Sequence, residues 1–206
     1  MDCRPLAVDQ LYFKQIPVGY MGNFVYLIGD KKKKECAVVD PAWDVDAVLK
    51  KATQDGMTVT AGILTHTHFD HVNGVEDLIR KTGAKIYVHE LEAKYLKSIQ
   101  KHLVETREGS KLKIGDIEMT FLHTPGHTEG AQCILVGDRL VTGDTLFVGA
   151  CGRCDLPGGS EQKIMQSLKR LASLDGSLKV FPGHAYGDAD SSTIEHEKKT
   201  NPFMRF

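Results

Sequence analysis

A chain of 206 residues, 41% apolar and 26% charged, can bury a sizeable core without disulfide staples and has the composition of an ordinary globular protein. Its formal net charge of −1 gives no electrostatic reason to expect nucleic acid or a membrane surface as partner. Five cysteines, at 3, 36, 133, 151 and 154, fit free thiols in a reducing compartment. With no apolar run of membrane-span length and no secretory signal in residues 1–9, the expected location is cytoplasmic.

Strands are predicted at Leu11–Ile16, broken by Pro17 to Gly22, then at Asn23–Ile28 and Glu35–Asp40. Between the last two, Gly29 to Lys34 forms a hairpin tip whose four lysines read as a solvated turn rather than a docking patch. Val45–Thr53 has helical spacing and is stopped at Gly56. Val59–Leu64 is a buried strand, Asn73–Lys81 a helix, Lys85–Val88 a short strand, and His89–His102 a helix with Leu91, Tyr95, Leu96 and Ile99 on one side. His89 and His102, without ligand-rich neighbours, are expected as surface or cap residues. Strands follow at Ile117–Leu122, Gln132–Val136, Arg139–Thr142 and Lys179–Phe181. Ser160–Ser173 is a helix that Ser160 can cap, and Ser191–Lys199 is a terminal helix. Strands in both halves, each followed by helices, call for an α/β fold with helices on the outer faces of the sheets.

The chemistry concentrates after Leu64. Thr65-His66-Thr67-His68-Phe69-Asp70-His71 carries three imidazoles and a carboxylate between a strand and a helix. Imidazole nitrogens suit zinc, iron and similar divalent ions, and a carboxylate adds a charged oxygen donor. His66 and His68, two apart in an extended segment, point the same way. Asp70 and His71 follow as the chain bends, so they face a second point nearby, which suggests two adjacent metals. Three later stretches add donors. His127 follows a Pro125-Gly126 turn, Asp144 lies just past a strand end, and His184 follows Pro182-Gly183. The two Pro-Gly-His stretches read as one construction used twice.

The H-x-H-x-D-H spacing resembles the signature of the metallo-β-lactamase superfamily, and the later donors match its pattern without a gap. The resemblance implies a four-layer αββα sandwich with the site in loops along one sheet edge. It implies that His66, His68 and His127 hold one metal, that Asp70, His71 and His184 hold a second, and that Asp144 bridges them. One or two zinc or iron ions are expected per chain. His123 lies outside the pattern and is read as structural.

Gly143-Asp144-Thr145-Leu146-Phe147, Cys151-Gly152-Arg153, Gly183-His184-Ala185-Tyr186 and Glu197 to Phe203 resemble the glyoxalase II group. That implies hydrolysis of a thioester such as S-lactoylglutathione, with Asp70 orienting the attacking hydroxide and Arg153 and Tyr186 contacting the glutathione part. The chain stops at Phe206, about where the helical domain of glyoxalase II would begin, so residues 1–206 are expected as a single domain without it. The chief alternative is an iron-dependent persulfide dioxygenase acting on glutathione persulfide, which the resemblance would seat on His66, His127 and Asp144. Cys151 and Cys154 form a C-x-x-C pair, read as free thiols rather than a redox dithiol or half a zinc site. A small-molecule substrate is expected.

Overall fold

The computed structural model describes residues 9–206; Cys3 and residues 1–8 of the N-terminal stretch lie outside them. Two six-stranded sheets form its centre. The first holds β1 (Leu11–Val18), β2 (Asn23–Asp30), β3 (Glu35–Val39), β4 (Thr58–Ile63), β5 (Lys85–His89) and β6 (Leu103–Thr106), side by side in chain order. The second is built from β7 (Lys111–Ile114), β8 (Ile117–His123), β9 (Gln132–Val136), β10 (Arg139–Gly143), β13 (Lys179–Pro182) and β14 (Ser192–Thr193), in the order β14-β13-β10-β9-β8-β7. A small ribbon, β11 (Leu146–Phe147) with β12 (Ala150–Cys151), lies beside it. Both sheets are mixed: β3 to β6 run parallel to one another, as do β10 and β13, and the other pairs are antiparallel.

The period-two alternation of the strands explains the layers. In β2, Phe24, Tyr26 and Ile28 face the other sheet, where they meet Met119, Phe121 and Ile134. Val25 and Leu27 point the opposite way, against α1 (Val45–Gln54) and α3 (Val75–Thr82) through Val48 and Leu78. The second sheet repeats this: Cys133, Leu140 and Val180 turn outward against Ile164, Leu168 and Leu171 of α5 (Glu161–Ala172) and Ile194 of α6 (Ile194–Thr200). Three apolar layers between four structural ones give the αββα sandwich that the sequence led us to expect. No helix among the described residues is long and apolar enough to cross a membrane.

Several local expectations need correction. β1 continues through Pro17 to Val18, because β1 is an edge strand and a missing N–H there leaves no ladder bond unmade. The helix expected over His89–His102 is not continuous. Only α4 (Glu90–Ala93) is α-helical, followed by a 3-10 segment over Lys97–His102. Here Glu92, not Leu91 or Tyr95, is buried, since its carboxylate accepts hydrogen bonds from two loops of the site. His89 is a cap as expected, its Nδ1 accepting from Leu91 N, yet it is buried and stacked on His123. The helix expected over Asn73–Lys81 is α3, starting at Val75, and a further short helix, α2 (Phe69–Val72), begins inside the histidine stretch and carries Asp70 and His71; the terminal helix starts at Ile194. The hairpin lysines are exposed, and the turn is held by buried Asp30, whose Oδ1 accepts from Lys32 N and Lys33 N.

Candidate metal centre

The loops after β3, β4, β8, β10 and β13 meet at one place. β4 is followed by Leu64-Thr65-His66, all buried. Asp40, one residue past β3, receives Thr65 N at 2.7 Å on Oδ1 and the Thr65 hydroxyl at 2.7 Å on Oδ2. Because that hydroxyl spends its proton on Asp40, its oxygen accepts from His66 Nδ1, 3.0 Å away. His66 Nε2 is therefore a lone pair, and it is buried without a hydrogen-bond partner.

Three more imidazoles are fixed by the same logic. His71 Nδ1 donates to Asp40 Oδ2 at 3.0 Å, His127 Nδ1 to the Arg153 carbonyl at 2.7 Å, and His184 Nδ1 to the Met21 carbonyl at 3.1 Å. An oxygen acceptor on Nδ1 sets the tautomer and turns Nε2 into the free donor. Those nitrogens converge: His71 Nε2 lies 3.0 Å from His184 Nε2, and His127 Nε2 lies 2.8 Å from His68 Nδ1. Lone pairs brought so close repel unless a proton or cation lies between them. Three groups of donor atoms lie within 4.8 Å of one another: His66, His68 and His127; His66, His71 and Asp144; and Asp70, His71 and His184. Asp144 stands between the outer two, its Oδ2 3.6 Å from His127 Nε2 and 3.3 Å from His184 Nε2. Its Oδ1 is buried, with His71 Nε2 3.4 Å away. Buried, orphaned donors of nitrogen and oxygen type suit a mononuclear or binuclear zinc or iron centre.

Electrostatics follow the geometry. Burial alone would raise the Asp144 carboxyl, but the charge of His71 and hydrogen bonds from His184 and His71 hold it well below the usual carboxylate range. His71 sits well above the ordinary imidazole value: burial opposes this, and the charge of Asp144 with hydrogen bonds to Asp144 and Asp40 overcomes it. His66, with no such partner, is driven well down by burial and by the neighbouring His71. Against the pull of burial, Asp144 and Asp70 raise His184 to about 9. Asp70 is held low: burial is outweighed by hydrogen bonds from His184 and Asn23 and by His71.

The two Pro-Gly-His stretches are not one construction. Pro125-Gly126 is a true turn: Gly126 has φ +138°, its N–H donates to Thr128 O, and a Cβ on it would strike the backbone of Ile164 in α5. Pro182-Gly183-His184 stays extended. Gly183 N donates to Gly143 O, Phe24 N to Gly183 O, and Ala185 N to Gly22 O, so this segment laces the two sheets together. Gly183 needs no left-handed backbone; a Cβ there would strike Asp144 Oδ1.

Three residues of the site had no signal in the sequence. Asp40, with φ +51°, was read only as a strand end; a short polar side chain tolerates that backbone. Asn23 Nδ2 donates to Asp70 Oδ2 at 2.9 Å, and Trp43 Nε1 fixes the Asn23 Oδ1 at 2.9 Å. Glu92 receives Thr67 N and its hydroxyl on Oε2 and Gly130 N on Oε1, joining the first histidine loop to the loop that carries His127. Each acts on a residue far along the chain, so no local spacing reveals it.

Around this centre, Tyr186 stacks on His184 with centroids 4.4 Å apart and planes 13° apart, and is 56% exposed. Arg153 is placed otherwise: its guanidinium makes a two-pronged pair with Asp155 at 2.7 Å, and only its carbonyl reaches His127. Cys151 and Cys154 are free thiols. Burial pushes Cys151 up to about 11, aided by Cys154, and also raises Cys154. His123 stands apart from the donor groups, with Nε2 donating to Glu129 O at 2.9 Å.

Comparison with known proteins gives the same centre a family. A hydrolase from Bacillus velezensis described as "Probable polyketide biosynthesis zinc-dependent hydrolase BaeB" is 33% identical over 184 residues, covering 89% of this chain and 82% of its own. A hydroxyacylglutathione hydrolase from Maricaulis maris is 32% identical over 232 residues, covering 96% of this chain and 88% of its own. The crystal structure of ETHE1 from Myxococcus xanthus superposes with a TM-score of 0.83 at 30% identity, covering 93% of this chain and 83% of its own. These relatives and the donor groups support a metal-dependent hydrolytic enzyme, at a site typical of the hydrolases and dioxygenases of this fold. The Metallo-beta-lactamase superfamily profile matches residues 18–184, most of the sandwich and every converging donor from His66 to His184, and the chain belongs to that superfamily.

Proposed function

We propose that the centre hydrolyses a thioester, with His66, His68 and His127 holding one divalent ion, Asp70, His71 and His184 a second, and Asp144 between them. The observation that carries this reading is the pair of complete donor groups with Asp144 Oδ2 within 3.6 Å of both. When bound, the ions supply a hydroxide at neutral pH and polarise the carbonyl under attack. The chain's own part is positional. Asn23 pins Asp70, which remains ionised and half-exposed, so its carboxylate accepts a hydrogen bond from the attacking water and orients it. The water oxygen bonds to the acyl carbon and the C–S bond breaks, leaving a carboxylate while the water's protons pass to solvent. The sulfur departs as a thiolate, whose conjugate acid has a pKa of about 8.5 by analogy with cysteine, so no strong general acid is needed. Residues 1–206 are taken as one domain in this reading.

For the thiol, S-acylglutathione is the expected partner, with Tyr186 and Arg153 as its contacts. The Maricaulis maris relative and the position of Tyr186 over His184 support it; the Arg153–Asp155 pair does not. A second reading, an iron-dependent dioxygenase of glutathione persulfide on His66, His127 and Asp144, is favoured by the likeness to ETHE1. The comparisons back it better than they back S-acylglutathione as substrate. A paired assay on metal-characterised protein separates them: loss of S-lactoylglutathione absorbance against oxygen uptake with glutathione persulfide. Thioester cleavage without oxygen uptake upholds the hydrolase, and oxygen uptake without cleavage replaces it with the dioxygenase.

A further inference from the structure

Beside His68 lies a cleft of about 370 Å³, which none of the contacts described so far fills. Its walls include Thr67, His68, Tyr95, Thr128, Leu156 and Pro157. His68 is the half-exposed member of its donor group, so the cleft opens directly onto the centre. Tyr186 is stacked on a different imidazole, His184. The centre therefore has two distinct flanks, and a thioester, which has two arms, can place one on each.

Charge decides which arm enters the cleft. Among the described residues no lysine or arginine lines it, while two carboxylates do: Glu92, spent on Thr67 and Gly130, and Glu129, paired with Lys163 at 2.6 Å. A glutathione arm, with two carboxylates of its own, would find no lysine or arginine in that lining; of the lysines beside it, Lys163 is already paired with Glu129 and Lys94 lies over the Tyr95 ring. An uncharged acyl chain finds Tyr95, Leu156 and Pro157. One polar feature remains. Thr128 is only 5% exposed, and its hydroxyl oxygen is buried with no hydrogen-bond partner. A hydroxyl left without a partner among the described residues is destabilising, and a ligand oxygen would relieve it. A cavity of this size is at the small end of ligand sites and much larger than a two- or three-carbon acyl group requires.

We propose that this cleft is the acyl pocket of the enzyme and that it selects uncharged acyl groups of about six carbons, with Thr128 meeting an oxygen substituent on the chain. The inference rests on the thioester reading and names its substrate class. Each buried methylene is worth about 0.8 kcal/mol, so hexanoyl thioesters should exceed acetyl thioesters in kcat/KM by tenfold or more, about as far as apolar pockets discriminate.

Two measurements on the metal-loaded chain test it. The first is the kcat/KM ratio for hexanoyl- over acetyl-N-acetylcysteamine. The second is calorimetric binding of the hexanoyl analogue with a methylene in place of sulfur, which needs no turnover. Leu156→Trp, which fills the cleft, should lower both the ratio and the analogue affinity by about tenfold. Tyr95→Ala, at a side chain 61% exposed and so safe for folding, should lower both in the same direction. A wild-type ratio near one, or analogue binding indifferent to both substitutions, overturns the pocket. Analogue binding that responds to them with no thioester cleaved upholds the pocket and removes the hydrolytic reading instead.

Discussion

Pro125-Gly126-His127 and Pro182-Gly183-His184 share three residue types in the same order, yet the fold uses them in opposite ways. The first is a turn leaning on α5, with Ser167 Oγ donating to the Pro125 carbonyl and Ser160 N to the Gly126 carbonyl. The second is extended backbone shared between the sheets. One glycine is needed for its backbone, the other for the room it leaves beside a carboxylate. A short motif thus specifies that a histidine ends a strand, while the surrounding sheet decides how it is held.

The sharpest way to break this comparison is to add one methyl group to each glycine. Gly126→Ala combines a left-handed φ with a collision against α5 backbone, and should cost about 4 kcal/mol of stability, read as a lower denaturant midpoint. Gly183→Ala meets a carboxylate instead, so the loss should fall on metal binding: affinity in the Asp70, His71 and His184 group drops by about 10–100-fold, with less than half the stability loss of Gly126→Ala. Equal effects of the two substitutions on stability and metal would show that the segments are equivalent after all.

Asp40→Asn tests the support behind the first loop. Asp40 accepts from Thr65 N on Oδ1 and from the Thr65 hydroxyl and His71 on Oδ2, and an amide can accept on only one of those sides, so metal affinity should fall by about tenfold while the helical circular dichroism persists. Next in size is a pH effect on metal-free protein. His184 titrates at about 9 in the fold against an ordinary 6.5, so its protonated form stabilises the fold. That contribution is whole below about 6.5 and is lost as pH rises through about 9, so chelator-treated protein should lose stability across this window. A midpoint flat over that range contradicts it. Smallest is Arg153→Ala: the pair with Asp155 is solvent-exposed and screened, and His127 keeps its carbonyl, so neither stability nor metal content by elemental analysis should change measurably.

Much of this was legible in the chain. Asn23–Ile28 was legible as a strand, and four donors packed after one strand showed where the chemistry lies. What escaped has a common cause. Asp40, Asn23 and Glu92 act on residues distant in sequence, and they look like any strand-end or surface polar residue until the sheets pair. The strands β6, β7 and β14 and the β11–β12 ribbon are four residues or fewer, too short for a periodicity to stand out. That Asp155, two residues on, pairs with the Arg153 guanidinium was also not legible in the chain.

The count of divalent ions bound per chain, for the natural protein and for His184→Ala, bears most directly on the two facing donor groups. Native mass spectrometry at saturating zinc or iron should find two ions in the natural chain and one in the variant. One ion in both, or two in both, would contradict a centre divided between the His66 and His184 groups.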